Sequence, residues 1–266
     1  MKVISVMYHD IVARGLPDES GFAGADAALY KLEREEFAGH LRAIDASVRE
    51  QAVSTVFDLP QEMQAHATPP LLLTFDDGGV SAHTSAAGML EAYGWRGHFF
   101  VTANYIDTPT FLSRAQIKDL HARGHIIGSH SSSHPLRMAC CSWDELMDEW
   151  RTSIEILSGV IKEAVTVASV PGGYYTRRVA EAAAQSGIKY LFTSEPTARC
   201  MTVDGCLVLG RYSIQRWTSA ETAAAIASGK LAPRIKQQAL WTAKKVTKAV
   251  GGEYYLKARR ALIGQG

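Results

Sequence analysis

The chain has 266 residues, 47% of them hydrophobic and 21% charged, with a net charge of only +1, which allows one large α/β domain or one domain with an appendage. Its apolar runs fall far short of the roughly 20 residues a membrane-spanning helix needs. The amino terminus lacks the basic-then-apolar pattern of a secretory leader, and the four cysteines form no C-x-x-C pair, so a cytoplasmic protein with reduced, mostly structural thiols is expected. The charge is uneven: from Lys230 onward nine Lys or Arg face one acid, Glu253, so the tail carries +8 and residues 1–229 carry −7.

Short β-rich runs alternate with amphipathic stretches, the pattern of βα units around a parallel sheet or barrel. The first predicted strand, Val3 to Met7, leads into Tyr8-His9-Asp10. A lone histidine at a strand end is commonly structural, but a barrel gathers its functional groups at this end of its strands. Asp10 is expected to be solvated or bonded to the loop that follows. That loop, Asp10 to Ala28, is rich in Gly, Ala and Asp and long enough to form a functional lip. A helix over Glu33 to Ala46 and strands over Thr55 to Phe57 and Leu71 to Phe75 come next. Asp76-Asp77-Gly78-Gly79 breaks the last of these. Strand side chains alternate, so both aspartates face one site only if the chain turns where the glycines allow it; a plain polar turn is the other reading.

A helix over Ser81 to Tyr93, a strand over His98 to Val101 and a helix over Arg114 to Ala122 lead to the strand Ile126 to Gly128. His130 and His134 follow, four residues apart, a spacing that puts two imidazoles on one side of a helical turn, within reach of one Zn²⁺-like ion. Pro135 limits this to a single turn. Two hydrogen-bonded histidines would account for the spacing alone, but its place after a strand and downstream of Asp-Asp favours a metal. His125 points the other way and reads as a satisfied core histidine. Ser142 and Glu145 form a capping box before the helix Trp143 to Val160. The strand Val165 to Val170 ends in Pro171-Gly172-Gly173-Tyr174, whose glycines let backbone N–H groups approach a developing oxyanion, or simply turn the chain. The helix Arg177 to Ser186 and strands Tyr190 to Thr193 and Leu207 to Leu209 complete a domain over residues 1–220. Glycines 94, 124 and 187 close three of the helices.

In the tail, residues 221–266, the apolar positions Ile235, Ala239, Ala243, Val246 and Val250 recur at helical spacing with Lys and Arg opposite. Such a basic amphipathic helix packs on the barrel with its charges solvated, or lies on an anionic membrane surface. Nucleic acid is not an expected partner, because the body is acidic and no recognition motif is present.

Thr74-Phe75-Asp76-Asp77-Gly78 and His130 to His134, in that order, resemble the T-F-D-D-G and H-[ST]-x-x-H motifs of the NodB-homology polysaccharide deacetylases. Gly124 to Ser129 is similar to their usual lead-in. The resemblance implies an α/β fold, a distorted (β/α)7-like barrel with a C-terminal helical extension. It implies metal-dependent removal of an N-acetyl group from a sugar or polysaccharide, and the basic tail would suit a lipid-linked glycan substrate in exopolysaccharide biosynthesis at the inner membrane face. Asp77, His130 and His134 would hold the metal, most readily Zn²⁺ with Co²⁺ or Ni²⁺ as substitutes. Asp76 would be the general base, and Gly172, Gly173 and Tyr174 would contact oxyanion or substrate. Two departures stand out. The family's arginine before the third-motif proline is replaced by Ser169, leaving Arg211 or Arg216 to supply its charge. No histidine follows His134, so the general acid would be His9, as in the circularly permuted poly-N-acetylglucosamine deacetylases. A carbohydrate-binding protein with weakened catalysis, an O-acetyl esterase and another amide hydrolase are the alternatives.

Overall fold

The computed structural model describes residues 1–48, 53–60 and 68–243. Strands β1 (Ile4–Tyr8), β4 (Leu71–Phe75), β5 (His98–Val101), β6 (Ile126–Ser129), β7 (Val167–Ser169), β8 (Tyr190–Phe192), β9 (Met201–Val203), β10 (Cys206–Leu209) and β11 (Tyr212–Ser213) form one curled sheet. Their order is β11-β1-β4-β5-β6-β7-β8-β10-β9, and every pairing is parallel except β9 with β10. The first strand therefore sits between β4 and the last strand. Its free edge is stitched twice: β11 pairs with Val6 and Met7, while Val3 N–H donates to Ala198 O and Cys200 N–H to Met1 O. The expected α/β barrel is present as this curled half-barrel. A separate short pair, β2 (Ile11–Val12) with β3 (Leu32–Glu33), closes the base of the lip.

Alternation along the strands sorts the core. Outward-facing Ile4, Val6 and Tyr8 of β1 and Leu71, Leu73 and Phe75 of β4 join the main cluster under the helices Arg34–Ser47, Ala87–Glu91, Arg114–Ala122 and Ala220–Ala227. Helices Trp143–Ile161 and Arg177–Gln185 bury a second cluster around Trp150, Val179 and Leu191. The inward set, Val3, Leu72, Phe100, Val167, Phe192 and Leu209, plugs the barrel. Gly128 has no side chain because a Cβ there would come within 2.6 Å of the Phe100 ring that fills the centre. Burying these side chains stabilises the fold by about 1.5–3 kcal/mol each.

Several expectations are corrected. Thr55 to Phe57 is no strand: the chain makes one bridge, Val53 to Leu71, then turns over 56–58. The helix expected over Ser81 to Tyr93 begins as a π-helical turn, Ala82–Ala86, before becoming α-helical. The core runs past the boundary expected at residue 220, since Ala223, Ile226 and Ala227 are buried in it. Residues 231–243 are helical, but with Arg234 and Gln237 turned inward, onto the Tyr212 hydroxyl, Gly229 O and Ser213 O. Leu231 (67%) and Ile235 (59%) are exposed. The apolar stripe thus faces outward, opposite to packing on the barrel; Val246 and Val250 lie outside the described residues.

Candidate metal centre

The inward register that packs the barrel also builds its mouth. Two residues beyond inward-facing Leu72 and Thr74 comes Asp76; Ser169 follows Val167, and Arg211 follows Leu209. At this level the apolar plug gives way to charge. The Arg211 guanidinium lies 5.6 and 5.8 Å from the ring centres of Phe100 and Phe192 and donates from Nε to Thr193 O. Its terminal nitrogens meet both Asp76 oxygens, at 2.6 and 2.8 Å. Burial pushes the Asp76 carboxyl up, but the Arg211 charge and hydrogen bonds, with His130 and His9 nearby, hold it below its usual range. Asp76 is thus an ionised carboxylate in a fixed orientation. Of the two candidates to replace the family's arginine, Arg211 makes this contact, while Arg216 is exposed and its N–H donates to Leu29 O.

Asp77 adopts left-handed backbone geometry (φ +75°) ahead of Gly78 (φ +81°). This turn, costing about 1–2 kcal/mol at a non-glycine residue, breaks strand alternation and lets both aspartates serve one site. Asp77 Oδ1 lies 3.4 Å from His130 Nε2 and 3.5 Å from His134 Nε2, and the three ligand atoms fall within 4.8 Å of one another. Donors at the zinc bond length of about 2.0–2.1 Å would stand roughly 3.3 Å apart on a tetrahedron, so these separations fit one ion. Burial pushes the Asp77 carboxyl up, and the two imidazoles more than offset it, holding it well below its usual range. Burial lowers His134 and Asp77 more than reverses this, so its net direction is upward.

Ser169 links His130 to Asp76. His130 Nδ1 lies 2.5 Å from Ser169 Oγ and 3.2 Å from Ser169 O, and Ser169 Oγ donates to Asp76 Oδ1 at 3.1 Å. A carbonyl can only accept, so Nδ1 carries the proton and Nε2 keeps its lone pair for a metal. The helical turn expected over His130 to His134 is absent. The histidines converge through a loop with Ser131 (φ +64°) and His134 (φ +59°) left-handed, consistent with a proline at 135 that disfavours helix.

His9 follows β1 on the inward side. Its Nδ1 is buried without a hydrogen-bond partner among the described residues. Tyr30 packs on its ring at 4.8 Å. Asp10 is buried, not solvated, and accepts from Ser20 and Ser81 hydroxyls. The lip reaches the candidate metal site: Phe22 packs 4.9 Å from the His134 ring, backed by Tyr105 and Phe111. Sequence reasoning missed this aromatic wall, whose members lie far apart in the chain. Gly172 (φ +65°) and Gly173 (φ +70°) form the turn after β7, beside Leu136 O, and Tyr174 stacks under Arg137. His125 is satisfied, accepting from Gly97 N–H and contacting Glu91.

Residues 64–191 match the family model described as polysaccharide deacetylase. The *Bacillus subtilis* protein YxkH is 27% identical over 128 residues, 48% of this chain and 46% of its own length. An uncharacterized 30.6 kDa protein of *Geobacillus stearothermophilus* is 30% identical over 128 residues, again 46% of its length. The match thus spans about half of each relative. Among solved structures, the *Streptococcus pyogenes* deacetylase PplD, in complex with acetate, superposes with a TM-score of 0.71 at 20% identity, over 85% of this chain and 98% of that one. IcaB from *Ammonifex degensii* gives 0.63 at 20% identity, over 85% and 97%. These likenesses show the fold, and the matched segment, a little under half of the chain, is similar to the polysaccharide deacetylase family.

Proposed function

We propose that this chain removes an N-acetyl group from a sugar or glycan by metal-dependent hydrolysis, releasing acetate. The observation that carries the reading is the convergence of Asp77, His130 and His134 beside an Asp76 carboxylate clamped by Arg211. One carboxylate oxygen and two imidazoles suit Zn²⁺, with Co²⁺ or Ni²⁺ as substitutes. The chemistry such an ion supplies is polarisation of the acyl carbonyl and acidification of a bound water. Asp76, ionised and oriented, accepts the proton of the attacking water. The Gly172 N–H, with Gly173 and Tyr174 beside it, would be the donor to the developing oxyanion, worth about 3–4 kcal/mol. His9 gives its proton to the departing amine, a general-acid step typically worth about 10² to 10⁴-fold.

Metal analysis combined with acetate release from N-acetylated sugars tests this. Bound metal with acetate released supports it. Sugar binding without acetate would favour a carbohydrate-binding protein, and release only from O-acetyl esters would favour an esterase.

The tail supports peripheral contact with an anionic membrane, which would suit a lipid-linked glycan substrate. Leu231, Ile235 and Leu240 are exposed, and the sequence from Lys230 carries +8. Each Lys or Arg near lipid can add about 1 kcal/mol. Flotation with anionic vesicles, with and without residues 230–266, decides it; equal flotation sinks the membrane reading. Among the described residues no helix is long and apolar enough to cross a membrane.

A further inference from the structure

We infer that Glu149 is a positioning residue for the metal centre: from the helix behind the His130–His134 loop, it holds the two histidines at the separation that one ion requires. The inference rests on the metal reading above. Glu149 lies on the helix Trp143–Ile161. Its Oε2 accepts the N–H groups of both Ser132 and Ser133 at 2.9 Å, and its Oε1 accepts the Ser133 hydroxyl. Two successive backbone donors converging on one carboxylate oxygen fix the middle of a five-residue loop whose ends are the histidines.

The loop needs such a hold. Ser131 and His134 both have left-handed backbone geometry, which non-glycine residues keep only where the surroundings determine it. One turn along the same helix, Ser153 Oγ meets Ser129 Oγ at 2.5 Å, and Ser129 Oγ accepts the Ser131 N–H at 3.1 Å. Glu149 and Ser153 therefore grip the loop from one helix face. Asn104 secures it from the other side, accepting the Ser132 hydroxyl and donating its own N–H to Ser132 O. Of these grips, Glu149 alone brings a charge, and charge-assisted hydrogen bonds are the stronger kind.

The test is zinc affinity of the full chain by chelator competition, with circular dichroism and urea unfolding of the metal-free protein. Glu149→Gln keeps the size and removes the charge. It should weaken zinc binding about tenfold or more, the usual range for partners that orient metal ligands, while the metal-free unfolding midpoint stays near wild type. Glu149→Ala should weaken binding further; if it fails to fold, Glu149→Gln carries the test. Glu155→Gln, exposed on the same helix, should bind zinc as wild type does. Wild-type affinity in folded Glu149→Gln, or an equal loss in Glu155→Gln, overturns the inference alone. A wild-type chain that binds no divalent metal overturns the metal reading, and this inference with it.

Discussion

Both carboxylate oxygens of Asp76 meet both terminal nitrogens of Arg211, at 2.6 and 2.8 Å, across 135 residues of sequence. Arg211 is fully buried and Asp76 nearly so, so neither charge is solvated by bulk water. Removing one partner leaves the other stranded, typically at a cost of about 3–5 kcal/mol. Arg211→Met should therefore lower unfolding stability by that order, and Asp76→Asn with Arg211→Met together should recover part of it. Urea unfolding of the two single variants and the double variant checks this; additive losses would mean the pair is not coupled. Arg211→Lys keeps the charge but not the planar fork, so acetate release should drop even where the protein folds.

In the proposed function Asp76 and Asp77 are neighbours with separate tasks. Asp76→Asn should keep its metal and lose activity, while His134→Ala should lose both. Full metal content in the His134 variant, by elemental analysis, would refute the ligand assignment.

His9→Ala should slow acetate release by about 10² to 10⁴-fold with metal retained. Wild-type rates in that variant would place the general acid elsewhere.

Below neutral pH, His98 should govern part of the stability. Its ring is buried, with Nδ1 at 3.0 Å from Leu73 O and Nε2 accepting the Val56 N–H, and burial pulls its pKa from 6.5 down to about 4. Between those values the unfolded chain binds the proton that the folded one refuses. Stability is then complete above pH 6.5, falls as pH drops toward 4 by up to about 3 kcal/mol, and falls no further from this group below that. His40 and His125, also lowered by burial, act with the same sign. Urea midpoints at pH 7 and 5 for wild type and His98→Gln check it, the variant showing the shallower slope.

The strands Leu71–Phe75 and His98–Val101 were legible because their runs are buried on both faces and bounded by breakers. Thr55 to Phe57 misled because three β-prone residues do not reveal that the chain makes a single bridge there. The Ala220–Ala227 helix escaped notice because its buried face is mostly alanine, which carries little hydrophobic contrast. At the site, the four-residue spacing of the histidines pointed to two rings that do converge, but through left-handed loop residues and not a helical turn. Sequence narrowed the arginine to two positions, but only register could show that 211 follows an inward-facing leucine.

Lys31 is buried in the lip, its ammonium donating to the carbonyl oxygens of Pro17, Ser20 and Phe22. Carbonyls gathered round one positive centre make the kind of cage in which other loops hold a calcium ion; here the cation is tethered by its own side chain. It cannot be dialysed away. A chelator that took a metal from Asp77, His130 and His134 would leave standing the wall that sets Phe22 against His134, so the vacated cleft would already be shaped for reloading. Stripping and restoring the metal should then be a reversible exchange at three ligands, with no refolding between.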